Sequence, residues 1–196
     1  LRIALDIARG LAYLHARSSF KECIIHRDVK PDNVLITDYL SAKVTDFGTS
    51  RAKDQEDVTM TGVGTPLFCA PEIANGEVYD ESVDVYSFGL TLVNMATVED
   101  ITVFVAERWR AHFNKKKAPD RNSHAYHKVL RPMWEDGWRP VTATSPIAGA
   151  PPTINALVVC CCDRDPKQRP TFDKVIETLL GACKTEVDAA PFTRKV

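Results

Sequence analysis

His26-Arg27-Asp28-Val29-Lys30-Pro31-Asp32-Asn33, followed after a short apolar stretch by Asp46-Phe47-Gly48, decides how this chain is read. These two groups contain a carboxylate (Asp28), an ammonium (Lys30), an amide (Asn33) and a second carboxylate (Asp46). A single Asp, Lys or Asn in a loop is ordinarily a solvated turn former, so the order and spacing of the whole string carry the meaning. Between the two groups, Val34-Leu35-Ile36 and Ala42-Lys43-Val44-Thr45 are short apolar-rich runs, separated by the turn-prone Asp38-Tyr39-Leu40-Ser41. That pattern predicts a small β-hairpin, with Asn33 and Asp46 at its opposite ends. The amide oxygen of Asn33 and the carboxylate of Asp46 are hard oxygen ligands. They suit magnesium, which takes one or two carboxylates together with phosphate oxygens.

The string resembles the catalytic loop and metal-binding motif of eukaryotic protein kinases. The resemblance runs from about Leu1 to Cys183 and covers only the larger lobe of that α+β fold. It implies a chain that is mainly α with a small β-hairpin: a kinase C-terminal lobe over 1–183 and a tail over 184–196. The reaction implied is transfer of the γ-phosphoryl of ATP to a protein hydroxyl. That transition state is loose, so the protein chiefly positions groups and neutralises charge. On this resemblance Asp28 accepts or orients the hydroxyl proton. Lys30, a point charge on a flexible stem, neutralises the moving phosphoryl. Asn33 and Asp46 hold Mg2+, and Leu35 forms the floor under adenine, so Lys30, Asn33, Leu35 and Asp46 make up the nucleotide set. Gly48 beside Phe47 gives the backbone the freedom a switching segment needs.

A second constellation supports the same family. Gly64-Thr65-Pro66-Leu67-Phe68-Cys69-Ala70-Pro71-Glu72 resembles the end of a kinase activation segment. Arg169, in Asp165-Pro166-Lys167-Gln168-Arg169-Pro170, resembles the arginine that pairs with Glu72. A buried carboxylate needs such a partner, and a guanidinium can serve it bidentately. Asp84 resembles the helix-borne Asp that accepts hydrogen bonds from the backbone of His26 and Arg27. The stretch Val83 to Ala96 is apolar nearly all round, which predicts a helix buried on all sides. Arg27 resembles the arginine that often meets a phosphate on the activation segment. Of Thr49, Ser50, Thr59, Thr61 and Thr65 in that segment, Thr59 and Thr61 are the expected acceptors, and a phosphate there would order the loop. Thr65 is expected to hydrogen-bond the catalytic loop.

Lys30 two residues after Asp28, with Gly64-Thr65, resembles serine/threonine kinases. Asp46-Phe47-Gly48-Thr49-Ser50-Arg51 and Asp136-Gly137-Trp138-Arg139-Pro140 resemble the tyrosine-kinase-like group, which mostly phosphorylates serine and threonine.

The remainder sets bounds. At 196 residues, 44% hydrophobic and net charge −1, the chain suits one domain with no polyanion preference. No uninterrupted apolar stretch is long enough to span a bilayer, and because Arg2, Asp6 and Arg9 break any apolar run, no signal peptide is expected at Leu1. None of the six cysteines forms a Cys-x-x-Cys pair. Free thiols point to a reducing cytosol or nucleus. Cys160-Cys161-Cys162 reads as small buried hydrophobes, because helical neighbours diverge and cannot share one tetrahedral ion. Residues 2–17 read as the helix preceding the catalytic loop, 18–23 as a polar linker, Thr153–Cys162 and Phe172–Cys183 as the last two helices, and the tail from Lys184 as frayed. Thr171 is a candidate N-cap. Residues 98–150, with Arg108, Trp109, Arg110, His112, Lys115-Lys116-Lys117 and Arg121, read as a solvated helix and loop longer than the family's. Docking of an acidic partner is the alternative there. His124 and His127 are helix-spaced but lack further metal ligands.

A complete kinase carries an upstream β-rich lobe with the glycine-rich loop, the strand lysine and its glutamate partner. None of these is recognisable here, and the chain has no initiator Met. The expectation is therefore a fragment that alone binds ATP poorly, and whose protein partners are Ser/Thr-bearing substrates and the missing lobe in cis. The alternative is a naturally truncated, non-catalytic interaction module. A small-molecule phosphotransferase is disfavoured by the platform of Gly64 to Glu72 with Arg169.

Overall fold

The structure, a computed structural model, describes residues 1–52, 67–97, 101–113, 137, 139–142 and 144–189. Thr59, Thr61, Thr65, the Lys115-Lys116-Lys117 run, Arg121, His124 and His127 lie outside these residues.

Six α-helices are described: α1 (Arg2–His15), α2 (Pro71–Ala74), α3 (Ser82–Thr97), α4 (Ile101–Phe113), α5 (Pro152–Cys161) and α6 (Phe172–Ala189). Helix α3 is the centre. Every residue from Val83 to Val93 is buried, as its all-round apolar character requires. Helices α1, α4 and α5 pack on it, and α6 packs on α1 and α5. The buried set of α1, Ala4, Leu5, Ile7, Ala8, Leu11 and Leu14, follows the helical period, so one face is committed to the core. At its C-terminus Lys21 Nζ donates to Leu14 O (2.6 Å) and Ala16 O (2.7 Å), satisfying carbonyls that a helix end orphans.

Strands β2 (Val34–Ile36) and β3 (Ala42–Val44) form the expected hairpin, with Val34 opposite Val44 and Ile36 opposite Ala42. Helix α1 holds it: Asp6 Oδ2 accepts from Ala42 N at 3.1 Å. Gly10 lies so close that a Cβ there would come within 3.3 Å of the Val44 side chain. Antiparallel pairing brings the two sequence ends of a hairpin together. Asn33 and Asp46 therefore flank its single open end, not opposite ends, and Thr45 N donates to Asn33 O at 2.9 Å. Strand β1 (Ile24–Ile25) pairs antiparallel with β4 (Arg51–Ala52). Two-residue strands carry no periodic signal, so the sequence does not announce this pair.

Three further readings are corrected. Helix α6 continues to Ala189, so Lys184 and the five residues after it are helical, not frayed. Cys160 is exposed while Cys161 and Cys162 are buried, because only part of a helix circumference faces α3. Arg108 is not purely solvated: its guanidinium lies 5.0 Å over the Phe104 ring and donates to Pro146 O at 3.2 Å, and burial lowers its pKa. The Thr171 cap is long, with Lys174 N at 3.5 Å from Oγ1.

Gly89 marks the closest approach of α3 and α5. A Cβ there would meet Cys162 Sγ at 2.6 Å and Cys161 Cβ at 2.9 Å. Gly89→Ala should lower stability by ~1–3 kcal/mol through overpacking, read from the urea midpoint, and Cys162→Ala should restore part of the loss. Burial raises the Cys162 thiol from 9.0 to about 12 and pushes the Cys161 thiol well above its usual range. The folded state thus prefers the neutral thiols. That stability is complete below pH 9 and is lost as pH rises toward 12, at about 1.4 kcal/mol per pH unit per thiol. Urea titrations at pH 8 and pH ~10.5 should show the decline, and it should be shallower in Cys162→Ala.

Candidate active site

The site is built on Asp84, whose carboxylate is fully buried in the first turn of α3. Its Oδ2 accepts from His26 N and from His15 Nε2, each at 2.8 Å, and its Oδ1 accepts from Arg27 N at 2.8 Å. A carboxylate without water requires donors of this kind. Just after these two amides the chain turns sharply, with Arg27 at φ 68°. For a non-glycine residue that conformation costs roughly 1–2 kcal/mol. His26 locks the segment from the other side. Its Nε2 donates to Thr45 O (3.0 Å), which can only accept, so its Nδ1 is the acceptor for Asp28 N (3.3 Å).

Asp28 is thereby presented with its side chain 9% exposed. Lys30 Nζ lies 2.8 Å from Asp28 Oδ2. Asn33 Nδ2 donates to Asp28 O (2.8 Å) and Oδ2 (3.0 Å). Both acceptors demand the NH2 group, which turns the Asn33 amide oxygen away from Asp28. Asp46 is exposed and left-handed (φ 60°, ψ 71°), with Gly48 N donating to its Oδ1 at 3.3 Å. The Phe47 ring lies 5.4 Å from that of His26. Leu35 is 59% exposed and Phe47 51%, so apolar surface surrounds the polar cluster.

The predicted residues Asp28, Lys30, Asn33 and Asp46 thus gather at the open end of the hairpin. The Asn33 oxygen and the Asp46 carboxylate are a hard donor set suited to magnesium. Among the described residues no group of three His, Cys, Asp or Glu could hold a metal.

Glu72 and Arg169 meet as expected, in a bidentate pair of 2.5 and 2.9 Å. Arg169 also lies over the Tyr86 ring and donates to Ser82 O. Ser87 Oγ donates to Phe68 O at 2.7 Å, fixing Leu67 to Ala70 against α3. Burial, and then the nearby Glu72 and Asp28 carboxylates, raise the Cys69 thiol to about 12. Arg27 Nη1 reaches Tyr79 OH at 3.4 Å.

Residues 2–180 match the protein kinase domain. The chain belongs to the protein kinase family. A mimivirus protein whose name describes a serine/threonine-protein kinase/receptor, R826, is 38% identical over 143 residues, covering 68% of this chain and 8% of that protein. In Dictyostelium discoideum, drkB is 33% identical over 178 residues, covering 91% of this chain and 22% of drkB. DDB_G0278521 is 35% identical over 179 residues, 89% of this chain and 16% of its own length. Both names describe serine/threonine-protein kinases. The kinase-domain chain spans less than a quarter of each of these relatives.

His15, Ser87 and Tyr79 escaped the sequence reading. His15 closes on Asp84 across 69 residues of sequence, a separation that no local spacing encodes. Its single clue is a polar ring at the end of an otherwise core-facing helix. His15→Ala should lower stability by about 1–3 kcal/mol, because it leaves a buried carboxylate oxygen short of a donor. Asp84→Ala should cost more, since it orphans three donors. Urea unfolding of both variants checks the order.

Proposed function

We propose that this chain is the larger, C-terminal lobe of a serine/threonine protein kinase, transferring the γ-phosphoryl of ATP to hydroxyls of protein substrates. The observation that carries the reading is the convergence of Lys30 Nζ and Asn33 Nδ2 on one oxygen of Asp28. This occurs at the hairpin end where Asp46 also emerges. Asp28 orients the substrate hydroxyl and takes its proton within hydrogen-bond reach. Lys30 moves from Asp28 to the transferring phosphoryl as negative charge gathers there. Asn33, through its amide oxygen, and Asp46 would hold magnesium, which when bound neutralises phosphate charge. Leu35 supports the adenine face from below. Glu72 with Arg169, and Phe68 on Ser87, hold the platform against which a protein substrate is placed.

Lys30 and the names of the relatives support serine/threonine specificity. The Asp46-to-Arg51 and Asp136-to-Pro140 motifs support the tyrosine-kinase-like group. An upstream small lobe would cover exposed Leu35, Ile36 and Phe47 and supply the remaining phosphate contacts. Phosphate on Thr59 or Thr61, met by Arg27, would order the activation segment. The free cysteines favour the cytosol or nucleus. Among the described residues no helix is long and apolar enough to cross a membrane.

In a full-length kinase containing this chain, Asp28→Asn should lower the transfer rate by ~10²-fold or more, while nucleotide affinity stays within about threefold. Radiolabel transfer to a Ser/Thr peptide library and nucleotide titration measure the two. Near-full turnover in Asp28→Asn would falsify the role. Asp46→Asn should weaken the magnesium-dependent part of nucleotide binding, seen by titrating with and without the metal.

A further inference from the structure

Satisfying a buried carboxylate is the simplest task for His15, yet its surroundings are built for more than that. The terminal torsion of an aspartate is broad, so the plane of its carboxylate is set by whatever binds it. The amides of His26 and Arg27 tie Asp84 to the catalytic loop, but they do not stop the carboxylate and the loop from shifting together. His15 Nε2 comes from a different element. It reaches Asp84 Oδ2 at 2.8 Å, the same oxygen that takes His26 N. A carboxylate has no proton to give, so Nε2 is the donor.

The His15 ring is itself held. Phe172, which is 2% exposed, packs on it with 5.1 Å between centroids and meets Phe88 edge-on at 5.4 Å. His15 also lines a half-open hollow between the end of α1 and the starts of α3 and α6. Its side chain is 12% exposed while that of Asp84 is 0%, so the imidazole stands between solvent and the carboxylate. Helix α1 carries the hairpin as well, through Asp6 on Ala42 N and Gly10 against Val44. One helix therefore holds the hairpin, at whose open end Asn33 and Asp46 stand, and, through His15, the carboxylate that sets Asp28.

We propose that His15 is a positioning residue for phosphoryl transfer. Its Nε2–H fixes the Asp84 carboxylate, and through the His26 and Arg27 amides it fixes Asp28 against the Asn33 and Asp46 side of the site. The proposal rests on the kinase reading of Asp28. A misplacement of about 1 Å at the reacting groups can cost ~10²-fold in rate, so a donor that touches no substrate is still felt in turnover.

The test uses two substitutions in a full-length kinase containing this chain. His15→Phe keeps a ring against Phe172 and loses the donor. His15→Gln keeps an N–H near the Nε2 position and loses the ring. His15→Phe should lower kcat by ~10-fold or more, with KM for ATP and for peptide within about threefold of the wild type. His15→Gln should regain most of that loss, whereas a packing role predicts the reverse order. Amide hydrogen exchange, followed by mass spectrometry, reads the same placement without turnover. Exchange over residues 24–28 should quicken in His15→Phe relative to residues 83–93 of α3, and return toward the wild type in His15→Gln. A merely structural role quickens both segments alike. Equal kcat in the two variants, the reverse order, or failure of both to fold overturns the inference. If only one folds, it decides against the wild type: near-full kcat in His15→Phe, or a loss of about tenfold or more in His15→Gln, overturns the inference, and the opposite result supports it. A wild type that transfers no phosphoryl group sinks the kinase reading instead, and the exchange comparison then decides whether His15 places the loop.

Discussion

A carboxylate cut off from water must find donors, and Asp84 finds three on two separate pieces of chain. That requirement organises the fold. Asp84 sits in a helix that is buried on every side, so its position is fixed by the core itself. The amides of His26 and Arg27 are then fixed by Asp84, and Asp28 follows one residue later. The strained φ of Arg27 is the local cost of this arrangement, and the burial of α3 sustains it. The placement of the Asp28 carboxylate is thus set by packing some distance away, through one short chain of hydrogen bonds.

The same helix fixes the other half of the platform. Ser87, one turn beyond Val83, bonds the carbonyl of Phe68, while Ser82 O takes a hydrogen bond from Arg169 as that residue clasps Glu72. A buried ion pair is weak evidence for stability, because desolvation offsets much of its attraction. Its use here is registry: it ties α2 to the loop before α6, two regions that no continuous element connects. The Asp46 side differs. Asp46, Phe47 and Gly48 are exposed; among the described residues Gly48 N donates to Asp46 Oδ1 at 3.3 Å, Ser50 N donates to Phe47 O at 3.0 Å, and the Phe47 ring meets that of His26. The Asp28 side is thus tied to the core by hydrogen bonds between residues far apart in sequence, whereas among the described residues the hydrogen bonds of Asp46, Phe47 and Gly48 are local.

Much was legible in the residues because the chemistry needs particular groups in a particular order. Asp28, Lys30, Asn33 and Asp46 could be named as candidates from sequence by their order and spacing, and the structure brings Lys30 and Asn33 onto Asp28. The hairpin was legible from its two apolar runs and turn, and α3 from its lack of a polar face. Glu72 and Arg169 were matched by their flanking motifs, although their contact spans 97 residues. Less regular features left no trace. Strands β1 and β4 are too short to show alternation, and the extension of α6 follows no apolar pattern.

What the sequence determined by itself is the inventory: which groups are present, which runs form helices and hairpin, and which family the string belongs to. Those follow from local periodicity and from the limited chemistry of side chains. What only the tertiary structure decided is which of those groups share an atom. Asn33 and Asp46 stand at one end of the hairpin because antiparallel strands return on themselves. His15 serves Asp84, Cys160 faces water while its neighbours do not, and a hollow opens between three helix ends. Each of these depends on contacts between residues far apart in the chain. Such contacts are set by packing the whole fold at once, and no single stretch of sequence encodes them.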